Sequence, residues 1–189
     1  YRSQTLISCR DLSIRYGDRA VCGPFSFTLE HGERLALNGK NGSGKSSLLK
    51  LILGEDIKKT GTISIGSGLI ISYVSQDTSH LSGTLSDYAS QCRIDESLFK
   101  AILRKLDFER IQFTKDMAQF SGGQKKKVLI AKSLCEQAHL YLWDEPLNFI
   151  DIYSRMQIEQ LILYFRPTMI FVEHDRAFRE TIATKTLEL

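Results

Sequence analysis

Eight consecutive residues, Gly39-Lys40-Asn41-Gly42-Ser43-Gly44-Lys45-Ser46, restrict this chain more than any other stretch. They follow the short apolar run from Arg34 to Asn38. They precede Ser46 to Leu53, where Leu48, Leu49, Ile52 and Leu53 recur at helical spacing. A strand, a glycine-rich turn and a helix in that order are the setting of a phosphate loop. The glycines let the backbone curl until its N–H groups, with the positive end of the following helix, surround a β-phosphate and a γ-phosphate. Lys45 adds a point charge and Ser46 a magnesium ligand, and Ser47 beside them is a further cofactor-binding candidate. The alternative, a chance glycine-rich turn, does not account for the flanking strand and helix.

Composition limits what such a loop can belong to. A chain of 189 residues, 42% apolar and 25% charged, can bury a substantial core as one compact domain. Its 25 basic residues against 22 acids leave a formal charge of +3, too mild to indicate a nucleic-acid binder by charge alone. The longest apolar runs are about five residues, as from Leu161 to Phe165, against the roughly 18 that suggest a membrane span. No span of its own is expected. Cys9, Cys22, Cys92 and Cys135 lie far apart with no CxxC pair, which argues against a zinc ribbon or a disulfide framework and fits a reduced, cytoplasmic compartment. The opening Tyr1-Arg2-Ser3 has no initiator Met and no charged-then-apolar signal pattern, so the chain is expected to be a piece of a longer one.

The periodicities give a coarse element order. Phe25, Phe27 and Leu29 alternate with Ser26, Thr28 and Glu30, the period of a half-buried strand. Further strands are predicted at Thr62 to Ile65, Leu69 to Ser75, Leu140 to Trp143 and Thr168 to Val172. Helices are predicted at Leu85 to Gln91, Glu96 to Leu106, Phe108 to Phe113, Gln124 to Cys135 and Tyr153 to Leu163, with a final one from Arg176. The helices between Gln76 and Ser121 read as a small helical subdomain over approximately residues 77–120. Elsewhere strands and helices alternate, which implies an α/β core with parallel strands.

Two further constellations carry chemistry. Leu140-Tyr141-Leu142-Trp143-Asp144-Glu145 is a buried strand that ends in two acids, where carboxylates need a reason to be. Asp144 can hold magnesium through water, and Glu145 can orient or deprotonate an attacking water. A surface Asp-Glu turn is the plainer alternative. Phe120-Ser121-Gly122-Gly123-Gln124 places a hydroxyl and two glycines at the start of a helix, a second anion cradle distinct from the first.

Phosphate loop, Ser-Gly-Gly-Gln signature and acidic strand end, in this order, resemble the nucleotide-binding domain of the ATP-binding cassette (ABC) superfamily across nearly the whole chain. The resemblance implies a P-loop NTPase cassette over residues 1–189, with an antiparallel β subdomain, a mainly parallel α/β core and a small helical subdomain. It implies ATP and Mg2+ as cofactors and an ATPase that turns ATP and water into ADP and phosphate. It also implies a second cassette, head to tail, whose own signature completes each site, so that Ser121, Gly122, Gly123 and Gln124 bind the γ-phosphate of the opposing nucleotide. Single positions match as well. Gln76 matches the glutamine that reaches magnesium and the nucleophilic water, and joins Ser46 and Asp144 as a metal residue. Tyr16 matches the aromatic that stacks on adenine, or is an ordinary strand-end tyrosine. Glu145 and His174 match the catalytic carboxylate and the switch histidine. Asp151 matches a loop at the dimer interface and also suits the N-cap of the following helix. Lys125-Lys126-Lys127 reads as a solvated helix face, with RNA or a partner surface as the alternative.

About 44 residues lie between Gln76 and Ser121, short for a transporter cassette. That spacing, with Glu145 to Asp151 and Phe171 to Phe178, is similar to the ABC-F class of translation factors. Trp143 to Phe149 and Pro167-Thr168-Met169 look like the C-terminal cassette of antibiotic-resistance proteins of the Vga and Lsa kind. The resemblance implies a second cassette on the same polypeptide and a parent that contacts the ribosome and its rRNA and protects translation from peptidyl-transferase-directed drugs. A transporter ATPase subunit or a housekeeping ABC-F factor is the alternative. Leu147, Glu173 and Ser47 depart from the commoner Thr or Ser, Ser and Thr at their positions.

Overall fold

A computed structural model of the chain describes residues 5–189. The opening Tyr1-Arg2-Ser3, whose sequence shows no signal pattern, lies outside the described residues. The order is β1 (Thr5–Tyr16), β2 (Arg19–Glu30), β3 (Arg34–Asn38), α1 (Lys45–Ile52), β4 (Lys59–Ile65), β5 (Ile71–Val74), α2 (Leu85–Cys92) and α3 (Glu96–Lys105). Two short 3-10 turns lead to α4 (Gly122–Cys135), β6 (Leu140–Asp144), α5 (Ile152–Phe165), β7 (Met169–Val172), α6 (Arg176–Ile182) and β8 (Lys185–Glu188).

The strands form an antiparallel sheet in the order β2-β1-β4 and a parallel sheet in the order β5-β6-β7-β3-β8. This is the expected ABC cassette fold. The parallel sheet is buried on both faces, as crossover helices require. Leu35, Leu37, Leu140, Leu142, Ile170 and Val172 point toward α1 and the antiparallel sheet. Their neighbours Ala36, Trp143, Met169 and Phe171 point to the opposite side, where α2 to α6 contribute Phe99, Ile130, Ile162 and Phe178. The two-residue period of a strand therefore feeds two cores. Each large side chain so buried contributes about 1.5–3 kcal/mol.

A chain of buried hydrogen bonds seats α4 on this sheet. The Trp143 indole donates to Ser133 Oγ at 2.9 Å, Ser133 lies 2.6 Å from Ser72 Oγ, and Ser72 donates to Glu136 at 2.8 Å. Asp151 caps α5, accepting from Ser154 N at 2.9 Å, and its other oxygen lies 3.1 Å from Lys127 Nζ. Burial opposes its ionisation, but the Ser154 backbone and hydroxyl and then Lys127 outweigh it and hold the pKa at about 2.

The structure corrects several expected elements. Phe108 to Phe113 is not a helix but leads into a 3-10 turn at Arg110–Thr114, closed by reciprocal bonds between Glu109 and Gln112. Phe108 instead packs edge-on against Phe113 and Phe120, a tertiary use of the rings that a nucleus too short for an α-helix permits. The final helix stops at Ile182 and is followed by β8, which the sequence pattern does not predict. Lys185, Thr186 and Glu188 carry no apolar pattern, and only pairing with β3 makes them a strand. α4 starts two residues earlier than predicted, at Gly122, and β6 carries Asp144 as its last residue. The four cysteines are unpaired.

Ser133→Ala leaves the Trp143 N–H without its acceptor, while Ser72 keeps its bond to Glu136, and should lower stability by about 1–3 kcal/mol in urea titrations. Asp151→Asn keeps a capping oxygen but removes the charge. Because the folded pKa of Asp151 lies below its unfolded value, the charge stabilises above about pH 4 and ceases to do so as pH falls toward about 2. Solvent screening keeps the effect below about 1 kcal/mol. The wild type's advantage over Asp151→Asn should hold from pH 7 to pH 5 and shrink below pH 4.

Candidate functional site

The sheet order brings distant segments to one edge. Val74 pairs with Trp143, Asp144 with Val172 and Leu37 with Val172, so β5, β6, β7 and β3 end level. The residues that follow those ends are Gln76, Glu145, His174 and the phosphate loop. A parallel α/β sheet presents its ligand site at this carboxyl edge.

The loop enters α1 through Gly44, at φ +92°. A Cβ there would lie 2.7 Å from Cys22 Sγ, so both the backbone and the space demand glycine. Lys45 is 6% exposed, with its ammonium donating to the Gly39 and Lys40 carbonyls. Ser46 Oγ donates to one Asp144 oxygen at 3.0 Å and Gln76 Nε2 donates to the other at 3.1 Å. Asp144 is 2% exposed, and these two bonds offset the cost of burying its carboxylate.

Glu145 adopts φ +50°, a left-handed conformation rare for a glutamate, held by its N–H on the Val172 carbonyl at 2.8 Å. That geometry turns its side chain from the strand direction toward the cleft. One carboxylate oxygen lies 2.9 Å from His174 Nε2 and the other accepts from Asn148 Nδ2 at 3.3 Å. A cleft of about 410 Å³ runs past Tyr16, Asn41, Lys45, Ser46, Gln76 and Glu145. Gly42, Gly44 and Ser47 also border it, whereas Gly39, Lys40, Ser43, Asp144 and His174 do not. Asp144 and His174 reach it through the side chains they hold. Tyr16 is 71% exposed beside the two-residue Gly17-Asp18 turn of the β1–β2 hairpin, its ring free to lie against a planar group.

Ser46, Gln76 and Asp144 offer a hydroxyl, an amide and a carboxylate, a hard oxygen set that suits Mg2+. Among the described residues no group of three or more His, Cys, Asp or Glu could hold a metal. A cation at Asp144 therefore needs phosphate oxygens and water to complete its shell, as Mg2+ commonly does.

The Ser-Gly-Gly-Gln segment does not border this cleft. Ser121 accepts from Gln124 N at 3.2 Å and gives its own N–H to Gln124 Oε1 at 2.9 Å, a capping box that presents the start of α4 to solvent. Against its flank lies Phe149, and a Cβ on Gly123 would meet the Phe149 carbonyl at 2.4 Å.

Four participants do not stand out in the sequence or read differently there. Lys126 and Lys127, expected on a solvated face, are 2% and 8% exposed. Lys126 Nζ donates to the Ser75 carbonyl at 3.0 Å, and Lys127 binds Asp151. Burial lowers the Lys126 pKa, opposed by Asp144, Glu145 and Glu173. The signal for this burial is the four apolar residues directly after the run, which mark a helix packed on more than one side. Glu173, in the sequence only a variant beside His174, is buried and accepts from Leu147 N and His174 N, both at 3.0 Å. Burial raises its pKa against those bonds. Phe149, in the sequence only one member of a motif, is 85% exposed at φ +65°.

Among the described residues no helix is long and apolar enough to cross a membrane. The family model for "ABC transporter" matches residues 22–148. The chain is 31% identical to the ATP-binding protein Uup of Caulobacter vibrioides, over 97% of this chain and 32% of that protein. It is 28% identical to the ribosome protection protein VmlR of Bacillus subtilis, over 96% of this chain and 34% of that protein. With ABC transporter F family member 2 of Arabidopsis thaliana the identity is 28%, over 98% and 28%. The chain thus spans about a third of the length of these relatives. A solved structure described as the ATP binding subunit of an ABC transporter superposes with TM-score 0.81 and 25% identity, covering 98% of this chain and 86% of that one. From the phosphate loop through the acidic end of β6, the chain belongs to the ABC transporter family, as an ATP-binding cassette related to its F-type members.

Proposed function

We propose that this chain binds ATP with Mg2+ and hydrolyses it to ADP and phosphate, in a site completed by the Ser121 end of an opposing cassette. The observation that carries this reading is the convergence of Ser46, Gln76 and Glu145 on one cleft that Ser121 does not border. Lys45 and the loop N–H groups hold the β- and γ-phosphates, and Tyr16 offers its ring to adenine. Ser46, Gln76 and Asp144 hold the metal, which when bound offsets the charge that develops on the phosphate oxygens. Glu145 accepts the proton of the attacking water, and His174 and Asn148 fix which way its carboxylate points. Asp151 faces the opposing cassette while capping α5.

The wider role we infer is that of a cassette in a cytoplasmic ABC-F protein that acts on the ribosome to protect translation from peptidyl-transferase-directed antibiotics. The similarity to VmlR and to an F-type member supports it, as does the short stretch from residue 77 to 120, which holds only α2, α3 and two 3-10 turns. The second cassette is placed on the same polypeptide, in keeping with relatives about three times as long. The likeness to a transporter's ATP-binding subunit favours a second reading, an ATPase that drives a membrane partner.

Glu145→Gln should retain ATP binding and slow hydrolysis at least about 100-fold, because an amide keeps the shape but takes no proton. Lys45→Ala should weaken binding itself by at least about tenfold. Equilibrium binding and single-turnover rates check both, and parental turnover in Glu145→Gln would remove its role as base. In translation stalled by a peptidyl-transferase-directed drug, the full-length protein should restore synthesis and its Glu145→Gln form should stay on the ribosome. Residues 1–189 alone, with a formal net charge of only +3 to set against rRNA phosphates, should do neither. ATP turnover stimulated by a membrane partner and not by ribosomes would favour the transporter reading.

A further inference from the structure

Lys126 is the least expected side chain in the site. Its position in the second turn of α4 is five residues after Ser121 (121 to 126), or about 7.5 Å along a helix axis. Yet its ammonium is buried, and two of its hydrogen-bond partners are the main-chain carbonyls of Ser75, at 3.0 Å, and Gln76, at 3.5 Å. Those carbonyls belong to the segment that leaves β5 and carries Gln76 to Asp144. A buried cation is costly unless its donors are satisfied, so the ammonium and the two carbonyls are bound to move together. The neighbouring Lys127 makes a second tie, from the same helix to Asp151.

We propose that Lys126 is a positioning residue for Gln76: by gripping the Ser75–Gln76 main chain it keeps the Gln76 amide on Asp144 and makes that register follow the position of α4. The Ser121 end of α4 faces outward while Lys126, on the same rigid rod, faces inward. A displacement of α4 produced at its exposed end is therefore felt at the peptide beside the cleft without any intervening flexible segment. The sequence pattern of three lysines thus divides into distinct uses, with Lys126 directed at the Gln76 segment and Lys127 at the Asp151 loop. This inference rests on the ATPase reading, in which Gln76 serves the metal and the water.

The test is a double-mutant cycle with Lys126→Met and Gln76→Ala in the full-length protein, where an opposing cassette can complete the site, read by steady-state ATPase kinetics and by backbone amide exchange without nucleotide. Lys126→Met should lower kcat about tenfold with KM for ATP changed less than threefold. In the Gln76→Ala background the same substitution should change kcat less than twofold, because its effect passes through Gln76. Exchange should quicken at residues 75–77 and stay unchanged in β6 and β7. If Lys126→Met does not fold, Lys126→Gln, whose shorter and neutral amide weakens the grip on the Ser75 and Gln76 carbonyls, goes through the same cycle, with a smaller loss of kcat that Gln76→Ala again abolishes. Additive losses of kcat, or unchanged exchange at residues 75–77, would overturn the proposal while leaving the ATPase reading in place. A wild type that does not hydrolyse ATP would overturn the ATPase reading instead, and amide exchange alone would then decide whether Lys126 holds the Gln76 segment.

Discussion

The Asp144 carboxylate is the point on which the site's geometry depends. Placed at the last residue of a central parallel strand, it is almost wholly removed from water and accepts Ser46 on one oxygen and Gln76 on the other. An unpaired carboxylate in that position would cost several kcal/mol, so α1 and the segment after β5 are both drawn to the end of β6. The phosphate loop is held between β3 and α1, and Asp144 therefore also sets where the loop lies relative to Glu145. The next residue, Glu145, turns out of the strand at positive φ because its N–H is taken by Val172. Two adjacent acids thus acquire different surroundings, one enclosed by donors and one bordering the cleft.

α4 joins this arrangement to the outside of the molecule. Its N-terminal residues are exposed and self-capped, its second turn grips the Gln76 segment and the Asp151 loop, and its last turns sit on β5 and β6 through Ser133 and Glu136. The loop from Glu145 to Asp151 is fastened at both ends, by Glu173 on the Leu147 N–H and by Lys127 on Asp151. Between these fastenings Phe149 is turned outward beside Gly122 and Gly123. The proposed contact surface for an opposing cassette is therefore built from a helix end and a loop that are each anchored in the same interior.

Strong local patterns are legible in the order of residues. The alternation in β2, the helical spacing in α1 and the apolar strands β6 and β7 are set by burial on defined faces, which composition at fixed period records directly. Weaker ones are not. β8 is a strand only because β3 offers it an edge, and the segment around Phe108 surrenders helix to let three rings pack. The lysine run shows the same limit in side chains. Charge predicts solvent, but Lys126 and Lys127 find carbonyl and carboxylate partners that lie 51 and 24 residues away in sequence (75 to 126 and 127 to 151).

The order of amino acids alone establishes which groups this protein has to offer: a glycine-rich loop with a lysine and a hydroxyl, an acidic strand end, a capped helix with two glycines, and an ABC-type order among them. These are local features, fixed by steric freedom at glycine, by capping chemistry and by the period of apolar residues. Which of them meet is settled by the packing of the folded chain. The order β5-β6-β7-β3 puts Gln76, Asp144, Glu145 and His174 beside the phosphate loop, and leaves Ser121 on a different surface of the same chain. The same packing makes Glu173 and Lys126 interior. The physical reason is that hydrogen bonds between segments far apart in the chain carry no mark in the local pattern of either segment, and the cost of burying a charge is settled only by the partner that the fold brings to it.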